Sequence, residues 1–475
     1  RGTDLYFQRH DGQAVTTEDF VRAIEEANGV RLQQFRHWYS QAGTPRIRVE
    51  RRYDPAARTY ALMLEQDCPA TPGQAQKEPF HIPVAVALLG ADGQPLPLRL
   101  YGESENAAKE RVLQFCEAQE SFVFQDVPAE PVPSVLRGFS APVRLELEYS
   151  DAELAFLLAN DNDPFNRWEA GQRLARRLIL QLVAAWQAGS ELEAPTDFVE
   201  ALAAVLGATG LEPAFQALVL TLPNETYLAE FMPVVDPDAL HAARQYLRRH
   251  LAERLRANWL AHYRALRQTG AYRPDAEAVG RRCLRNLCLS YLMELEGDQE
   301  VLELCLDQSR KGDNMTDVLA ALTALAQRSD ARADEALDAF YARWQGDPLV
   351  VDKWLAVQAT SRRPDTLERV QALTQHPAFT LKNPNKVYAL LRSFSQANPV
   401  RFHQPDGAGY RFVGEQIARL DRLNPQVAAR LAGAFNDWRR YDEDRRSEMR
   451  RALERLQNLS ALSRDVREIV SKALE

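Results

Sequence analysis

The sequence predicts a mainly α-helical protein that carries one β-sandwich, and two changes of apolar period predict it. From about Asp151 to the C-terminus, amphipathic helices follow one another with no strand-like run between them. Between Arg46 and about Tyr149 the period is instead two, in short runs separated by Pro and Gly. The expected architecture is a short helical segment over residues 1–45, an Ig-like β-sandwich over 46–149, and a large, solenoid-like α-helical superhelix over 150–475.

Residues 1–44 are expected to be helical. Thr16-Thr17-Glu18-Asp19 is a helix-start pattern, because a Thr side chain and a carboxylate three residues on can satisfy each other's backbone N–H groups. Gly29 then supplies the left-handed residue that ends a helix. A second helix carries Leu32, Phe35, Trp38 and Tyr39 and stops at Gly43-Thr44-Pro45. That aromatic surface exceeds what two short helices bury against each other, so they must dock on a larger body, in this chain or in a missing domain.

The next stretch alternates at Ile47–Glu50, Tyr60–Leu64 and Ile82–Leu88, with Ala91-Asp92-Gly93 as a tight turn between Leu89 and Leu96. Further strands are expected at Ser121–Phe124 and Val143–Leu147. About seven short strands in some 100 residues suit a β-sandwich, and Pro128, Pro131 and Pro133 mark edges, where a missing N–H is tolerated.

Asp163-Pro164-Phe165 opens the first long helix, with Asp as N-cap and Pro at the first position, and Trp168, Leu174, Leu178, Leu182 and Trp186 as its apolar face. Asp236-Pro237 opens another, whose face Leu240, Ala243, Leu247, Leu251, Leu255, Trp259 and Tyr263 could extend over about 30 residues. Breaks follow at Gly312-Asp313-Asn314, Gly346-Asp347-Pro348, Asn383-Pro384-Asn385, Asp406–Gly409 and Asn424-Pro425. Medium helices joined by short turns form a bundle or a stacked solenoid. No fixed period is visible, so no named repeat family is expected.

Composition narrows the function classes. The 475 residues carry a formal charge of −8, which disfavours nucleic acid as a general partner. The run Arg248, Arg249, Arg254 and Arg256 has acidic and apolar neighbours and is expected to be a solvated helix face. Five cysteines at irregular spacing make neither a disulfide framework nor a zinc ribbon; Cys283 and Cys288 are expected to be buried thiols, in a reducing compartment. No apolar run approaches the ~18 residues that a membrane helix needs. The chain begins with Arg1 rather than Met, so the absence of a signal peptide is not informative.

No catalytic constellation is visible. None of the eight histidines is followed by Glu, which rules out His-Glu-x-x-His, and His250 with Glu253 lacks a second His nearby. Gly138-Phe139-Ser140-Ala141-Pro142 is not a nucleophile elbow, because it lacks the final Gly. No phosphate-cradling loop is present. Two polar clusters stand out instead. Asn424 can cap a helix that begins at Pro425, with Gln426 and Arg430 on one face at i, i+4 near its start. An exposed Arg on a capped helix explains this pattern; so does a site for a carboxylate or a peptide carbonyl. Asn383-Pro384-Asn385 is the second such junction.

Several segments, in order along essentially the whole chain, resemble the C-terminal half of bacterial aminopeptidase N, a zinc alanyl aminopeptidase family of the gluzincin group. Asp4–Phe7, Arg9–Gly12 and Arg36–Pro45 are similar to the end of that family's catalytic domain. Pro69–Gln74 and Pro79–Pro83 are similar to its β-sandwich. Asp163–Ala170, Asn314–Asp317, Val351–Trp354 and Asn424–Ala428 are similar to its helical domain.

The resemblance implies four domains in a whole enzyme: a β-saddle, a thermolysin-like catalytic domain, a β-sandwich and an α-superhelix capping the active site. Residues 1–45 would then be the short helical tail of the catalytic domain. It also implies a zinc-dependent removal of N-terminal residues from peptides, with a zinc-bound water activated by a Glu and a Tyr stabilising the oxyanion. The family's Gly-Ala-Met-Glu-Asn strand, zinc helix and third-ligand Glu lie upstream of Arg1 and are absent here, so this chain has no catalytic or metal residue and is expected to be inactive alone. By the same resemblance Gln426 and Arg430 face the substrate cavity and contact peptide. Expected partners are peptides and the missing N-terminal and catalytic domains, in the cytoplasm, with the protein a monomer and neither nucleic acid nor membrane involved. The alternative is a non-catalytic scaffold of β-sandwich plus α-solenoid that binds peptides or proteins.

Overall fold

The computed structural model describes residues 1–103, 108–268 and 270–475. They divide into two compact units, Arg1–Leu174 and Ala175–Glu475.

The first unit begins with helices Gly2–His10 and Thr17–Asn28. The Thr16 N–H donates to the Asp19 carboxylate at 2.9 Å within the expected capping box, and Gly29 closes the helix at φ 64°. The segment with Leu32 to Tyr39 is shorter than a regular helix: a 3-10 turn over Gln34–Arg36 runs into a single turn over His37–Ser40. Tertiary contacts hold it in that form. Trp38 Nε1 donates to the His81 carbonyl at 3.0 Å, and its ring lies 4.8 Å from Phe80. Gln34 Nε2 donates to the carbonyls of Pro79 and Cys116. The aromatic face thus docks on the sandwich of the same chain.

The sandwich comprises β1 (Arg46–Asp54), β2 (Thr59–Asp67), β3 (Ile82–Leu89), β4 (Arg111–Phe115), β5 (Gln119–Phe124), β6 (Val132–Val135) and β7 (Arg144–Glu146). One sheet has the order β5-β2-β1-β7 and the other β4-β3-β6. Ile47, Val49, Leu62 and Leu64 of the first sheet are buried, as are Val84, Val86, Leu88, Leu113 and Phe115 of the second. Of the three prolines expected at edges, Pro128 and Pro131 lie outside the strands, in the connection between β5 and β6. Pro133 lies in β6, an outer strand of its sheet. Pro83 lies within central β3, but β6 pairs only with Val86–Leu89. The Ala85 N–H donates to Ser140 Oγ, so that side of β3 is open, and with a period of two Pro83 turns its missing N–H the same way.

Arg137 ties the sandwich to the following chain. Its side chain is 4% exposed and donates to Asp161 at 2.8 Å, Glu110 at 2.7 Å, Ser134 Oγ at 3.0 Å and Asn162 at 2.5 Å. Around it Leu136, Gly138 and Phe139 all take positive φ (60°, 60° and 53°), a conformation that side chains on Leu and Phe oppose. The Gly138 N–H donates to Asp163, the residue whose other oxygen caps the helix Pro164–Gln187 through the Asn166 N–H. Along that helix Leu174, Leu178 and Leu182 are buried, whereas Trp186, expected on the same face, is 42% exposed.

In the second unit Asp236 accepts from the Ala239 N–H and opens Pro237–Arg254. The expected single helix of about 30 residues is instead two, because Leu255 leaves helical geometry (φ −112°, ψ 19°) before Arg256–Ala265. The Trp259 indole donates to the Leu251 carbonyl at 3.1 Å at this break, and stacks on Tyr291 at 4.5 Å. All seven residues of the expected face are nonetheless buried. Asn314, Asp347, Asn383 and Asn424 each accept a backbone N–H at a helix start, where the sequence placed breaks.

Two further expectations need correction. Cys288 is buried, and burial pushes its thiol up to about 12, but Cys283 is exposed. Arg248 is not solvated: its side chain is 13% exposed and its Nε donates to Glu294 at 2.8 Å. Glu294 lies just past the C-cap of the helix Ala276–Leu292, so the Arg is drawn inward by a carboxylate 46 residues away in sequence. No helix among the described residues is long and apolar enough to cross a membrane.

Two stability predictions follow from these buried groups. Arg137→Ala leaves Asp161 buried and unpaired, and should cost about 3–5 kcal/mol in urea denaturation. His403 is buried against Tyr410 and Tyr441, and desolvation holds its imidazole down at about 3. Because the folded value is depressed, its contribution is fully present above the unfolded value of 6.5 and is lost as pH falls towards 3. Between pH 6.5 and 5, above the carboxylate range, His403→Asn should show a flatter stability profile than the parent chain.

Candidate functional site: a polar face on the helix Pro425–Ala432

The Asn424 side chain accepts from the Val427 N–H at 3.2 Å, and Pro425 occupies the first helical position. Val427, Ala428, Leu431 and Ala432 are buried and anchor one side. Gln426 and Arg430 fall on the other side, and both are exposed. The helix is only 8 residues long, so Arg430 stands in its last turn rather than near its start, where a cation faces the negative end of the helix dipole.

The two polar clusters meet here. Arg430 Nη1 donates to the Tyr388 hydroxyl at 3.1 Å. Tyr388 belongs to the segment that Asn383 and Pro384 open, where Asn383 accepts from the Asn385 N–H at 2.9 Å. That segment is pinned from below: Lys386 is buried, donates to the Pro348 carbonyl and pairs with Asp352 at 2.8 Å. From Tyr388 to Arg392 the backbone then forms a π-helical turn, with Leu390 and Leu391 buried. Such a turn carries an extra residue, forms rarely, and is frequent at functional sites. The Ser393 hydroxyl donates to the Tyr388 carbonyl at 3.2 Å, giving that carbonyl a partner.

Arg392 extends the same face. Its guanidinium lies 5.7 Å from the centre of the Tyr388 ring, and its Nε donates to Gln396 at 2.8 Å. Among the described residues neither Arg392 nor Arg430 has a carboxylate within ion-pair distance. Two guanidiniums, a phenol and the amides of Gln396 and Gln426 make a donor-rich surface suited to peptide carbonyls or a carboxylate. Tyr388, Arg392 and Gln396 were not singled out in the sequence. The Asn383-Pro384 cap announces the segment, but no local pattern announces the π turn or a partner 42 residues away.

Other centres considered in the sequence do not form reactive sites. Ser140 Oγ accepts from the Ala85 N–H, a structural role. His250 stacks beside Tyr246 at 5.9 Å, and desolvation lowers its pKa. Among the described residues no three His, Cys, Asp or Glu side chains are grouped to hold a metal ion.

An Ig-like sandwich followed by an irregular helical stack is also what family comparison returns. Residues 151–475 match the family described as "Domain of unknown function (DUF3458_C) ARM repeats", and the chain belongs to it. Residues 43–148 match "Domain of unknown function (DUF3458) Ig-like fold". The ARM-repeat description corrects the expectation that no named repeat family applies; the repeats are too divergent to show as a fixed sequence period.

The more particular relationship is with aminopeptidases. The chain is 41% identical to aminopeptidase N of Escherichia coli (strain K12) over all 475 residues, which is 54% of that protein. It is 42% identical to aminopeptidase N of Caulobacter vibrioides over the same 475 residues, 53% of that protein. The crystal structure of Legionella pneumophila aminopeptidase A in complex with aspartic acid superposes with a TM-score of 0.81 at 32% identity, covering 100% of this chain and 54% of that one. The chain therefore spans about half the length of the curated relatives it matches, consistent with the C-terminal half of such an enzyme.

An exposed side chain that serves a ligand rather than the fold leaves stability alone. Arg430→Ala should change the urea-unfolding free energy by no more than about 0.5 kcal/mol.

Proposed function

We propose that this chain is the part of a zinc-dependent aminopeptidase that caps the active site and lines the substrate cavity. The observation that carries the reading is the convergence of Arg430, Tyr388 and Arg392 on one face without a carboxylate to neutralise them. With Gln426 beside them, these donors would hold the carbonyls or the carboxylate of a bound peptide and fix its register, a positioning role rather than bond-breaking. On this reading residues 1–45 complete the catalytic domain, 46–149 form the sandwich and 150–475 the superhelical cap. The enzyme works on peptides in the cytoplasm as a monomer, without nucleic acid or membrane as partner.

Zinc, if the enzyme uses it, would supply the Lewis acid and the activated water. By the resemblance to aminopeptidase N, its ligands are assigned to the upstream half. Identity of 41–42% to two bacterial aminopeptidases N supports the peptidase class, and the relatives' greater length supports a division of labour between two halves.

The first test is zinc content and alanyl-anilide hydrolysis by the 475-residue chain alone, where neither stoichiometric zinc nor turnover is expected. Turnover by this chain would overturn the assignment. In protein that includes the upstream half, Arg430→Gln should raise KM for tri- and tetrapeptides about tenfold while changing kcat for an alanyl-anilide less than twofold. A fall in kcat at constant KM would instead place Arg430 in the chemistry.

A further inference from the structure

One cavity of the helical unit, of about 230 Å³, carries a surplus of negative charge. The charged side chains of its wall are the carboxylates of Glu225, Glu230 and Asp437 and the guanidinium of Arg440. Val235, Pro237, Leu240 and Pro399 make apolar stretches of the same wall.

The lone guanidinium is already engaged. Arg440 Nη1 donates to Glu230 at 3.0 Å and Nη2 to the Ala229 carbonyl at 2.8 Å. Glu225 accepts from His241 Nδ1 at 2.8 Å, and its side chain is 13% exposed. Asp437 is exposed and has no cation within ion-pair distance among the described residues.

A buried imidazole meets the same cavity. His403 is 5% exposed and lines the wall. The Tyr441 ring stacks on it at 4.2 Å, and its Nδ1 lies 2.9 Å from the hydroxyl of Tyr410, which is not part of the wall. The Nε2 edge is what remains to face the cavity, and Nε2 has no hydrogen-bond partner among the described residues. Burial keeps the ring neutral, so with Nδ1–H donated to Tyr410 the Nε2 atom is an acceptor. A buried acceptor left without a donor is costly, and a ligand N–H would relieve it.

Unmet carboxylate and a buried acceptor together call for a cation rich in donors. An ammonium group has three N–H donors and no acceptor. Glu225 and Glu230 start about 7.5 Å apart along their helical turn, at a rise of about 1.5 Å per residue, and each is held by its own partner. One ammonium does not serve both, whereas two joined by methylenes do. A ligand carboxylate would find no free cation here and would meet three like charges. We propose that this cavity binds an aliphatic diamine, with one ammonium towards Glu225 and His403 Nε2 and the other towards Glu230 and Asp437. Its methylenes run along Val235, Pro237 and Leu240. Such a molecule has neither a peptide bond nor a carboxylate, so it is a ligand of another class than the peptides assigned to the Gln426–Arg430 face.

Calorimetric titration of the 475-residue chain at pH 8 with cadaverine, and with pentylamine as the same chain bearing a single ammonium, tests the proposal. Cadaverine should bind, and pentylamine should bind about tenfold more weakly. Asp437→Asn should weaken cadaverine about tenfold and leave pentylamine nearly unchanged, because both changes remove the same contact. Asp4→Asn, which removes the same formal charge from an exposed position in the other unit, should change neither affinity. Trialanine should not displace cadaverine. Absence of cadaverine binding, equal affinity for the two amines, or displacement by trialanine would each overturn the proposal. Equal weakening in Asp4→Asn and Asp437→Asn would overturn it as general attraction to an acidic chain. Displacement by an equal concentration of magnesium would overturn it as a response to charge alone.

Discussion

Every α-helix starts with backbone N–H groups that have no partner within the helix, and a protein made largely of short helices meets that constraint again and again. This chain answers it with Asp or Asn followed by Pro. Asp163, Asp236, Asp347, Asn383 and Asn424 each accept a first-turn N–H, and the Pro that follows has no N–H to satisfy. Caps this compact let one helix begin within a few residues of the last one's end. They also fix the rotational setting of each helix, and with it the side on which polar residues emerge. Gln426 and Arg430 project together because Asn424 and Pro425 set where their helix starts and Val427, Ala428 and Leu431 set which side is buried.

Arginine is the second organising element. Arg137, Arg248, Arg363 and Arg445 are largely withdrawn from water, and each has a carboxylate partner, often with backbone carbonyls in addition. A planar group with five donors can join three elements at once, as Arg445 does in reaching Asp442, Asp238 and the His403 carbonyl. Against that background the arginines with no carboxylate stand out. Arg392 and Arg430 have no carboxylate within ion-pair distance among the described residues, and their face is where an external partner makes chemical sense.

Much of this was legible in the sequence, for reasons that can be named. A period of two against a period of 3.6 separates sandwich from helices, and Asp-Pro and Asn-Pro pairs mark helix starts because their chemistry is local. β4 and β6 escaped notice because they are short and because Gln114 and Pro133 interrupt their apolar pattern. The break at Leu255 escaped because the face from Leu240 to Tyr263 is continuous in burial although the backbone is not. Trp186 and Cys283 were placed by helical period alone, which fixes direction but not what lies opposite. At the candidate site the pair Gln426 and Arg430 could be read from spacing. Their neighbour Tyr388 could not, since its approach to Arg430 depends on how two distant helices stack.

The π turn over Tyr388–Arg392 also has a consequence for how the chain tolerates changes of length. An α-helix advances by about 100° per residue, so a turn holding one surplus residue is equivalent to an insertion absorbed without shifting its flanks. Removal of any single residue from this stretch would be accommodated by ordinary helical pitch, with the helix intact and Leu390 and Leu391 still able to find cover. The loss would fall instead on the turn itself: the flanks would keep their places, but the side chains between them would be redistributed over one residue fewer, and the placing of Tyr388 against Arg430 would go with the bulge. Sequence length at this point is therefore a determinant of surface chemistry, and one that an inventory of residue types would not reveal.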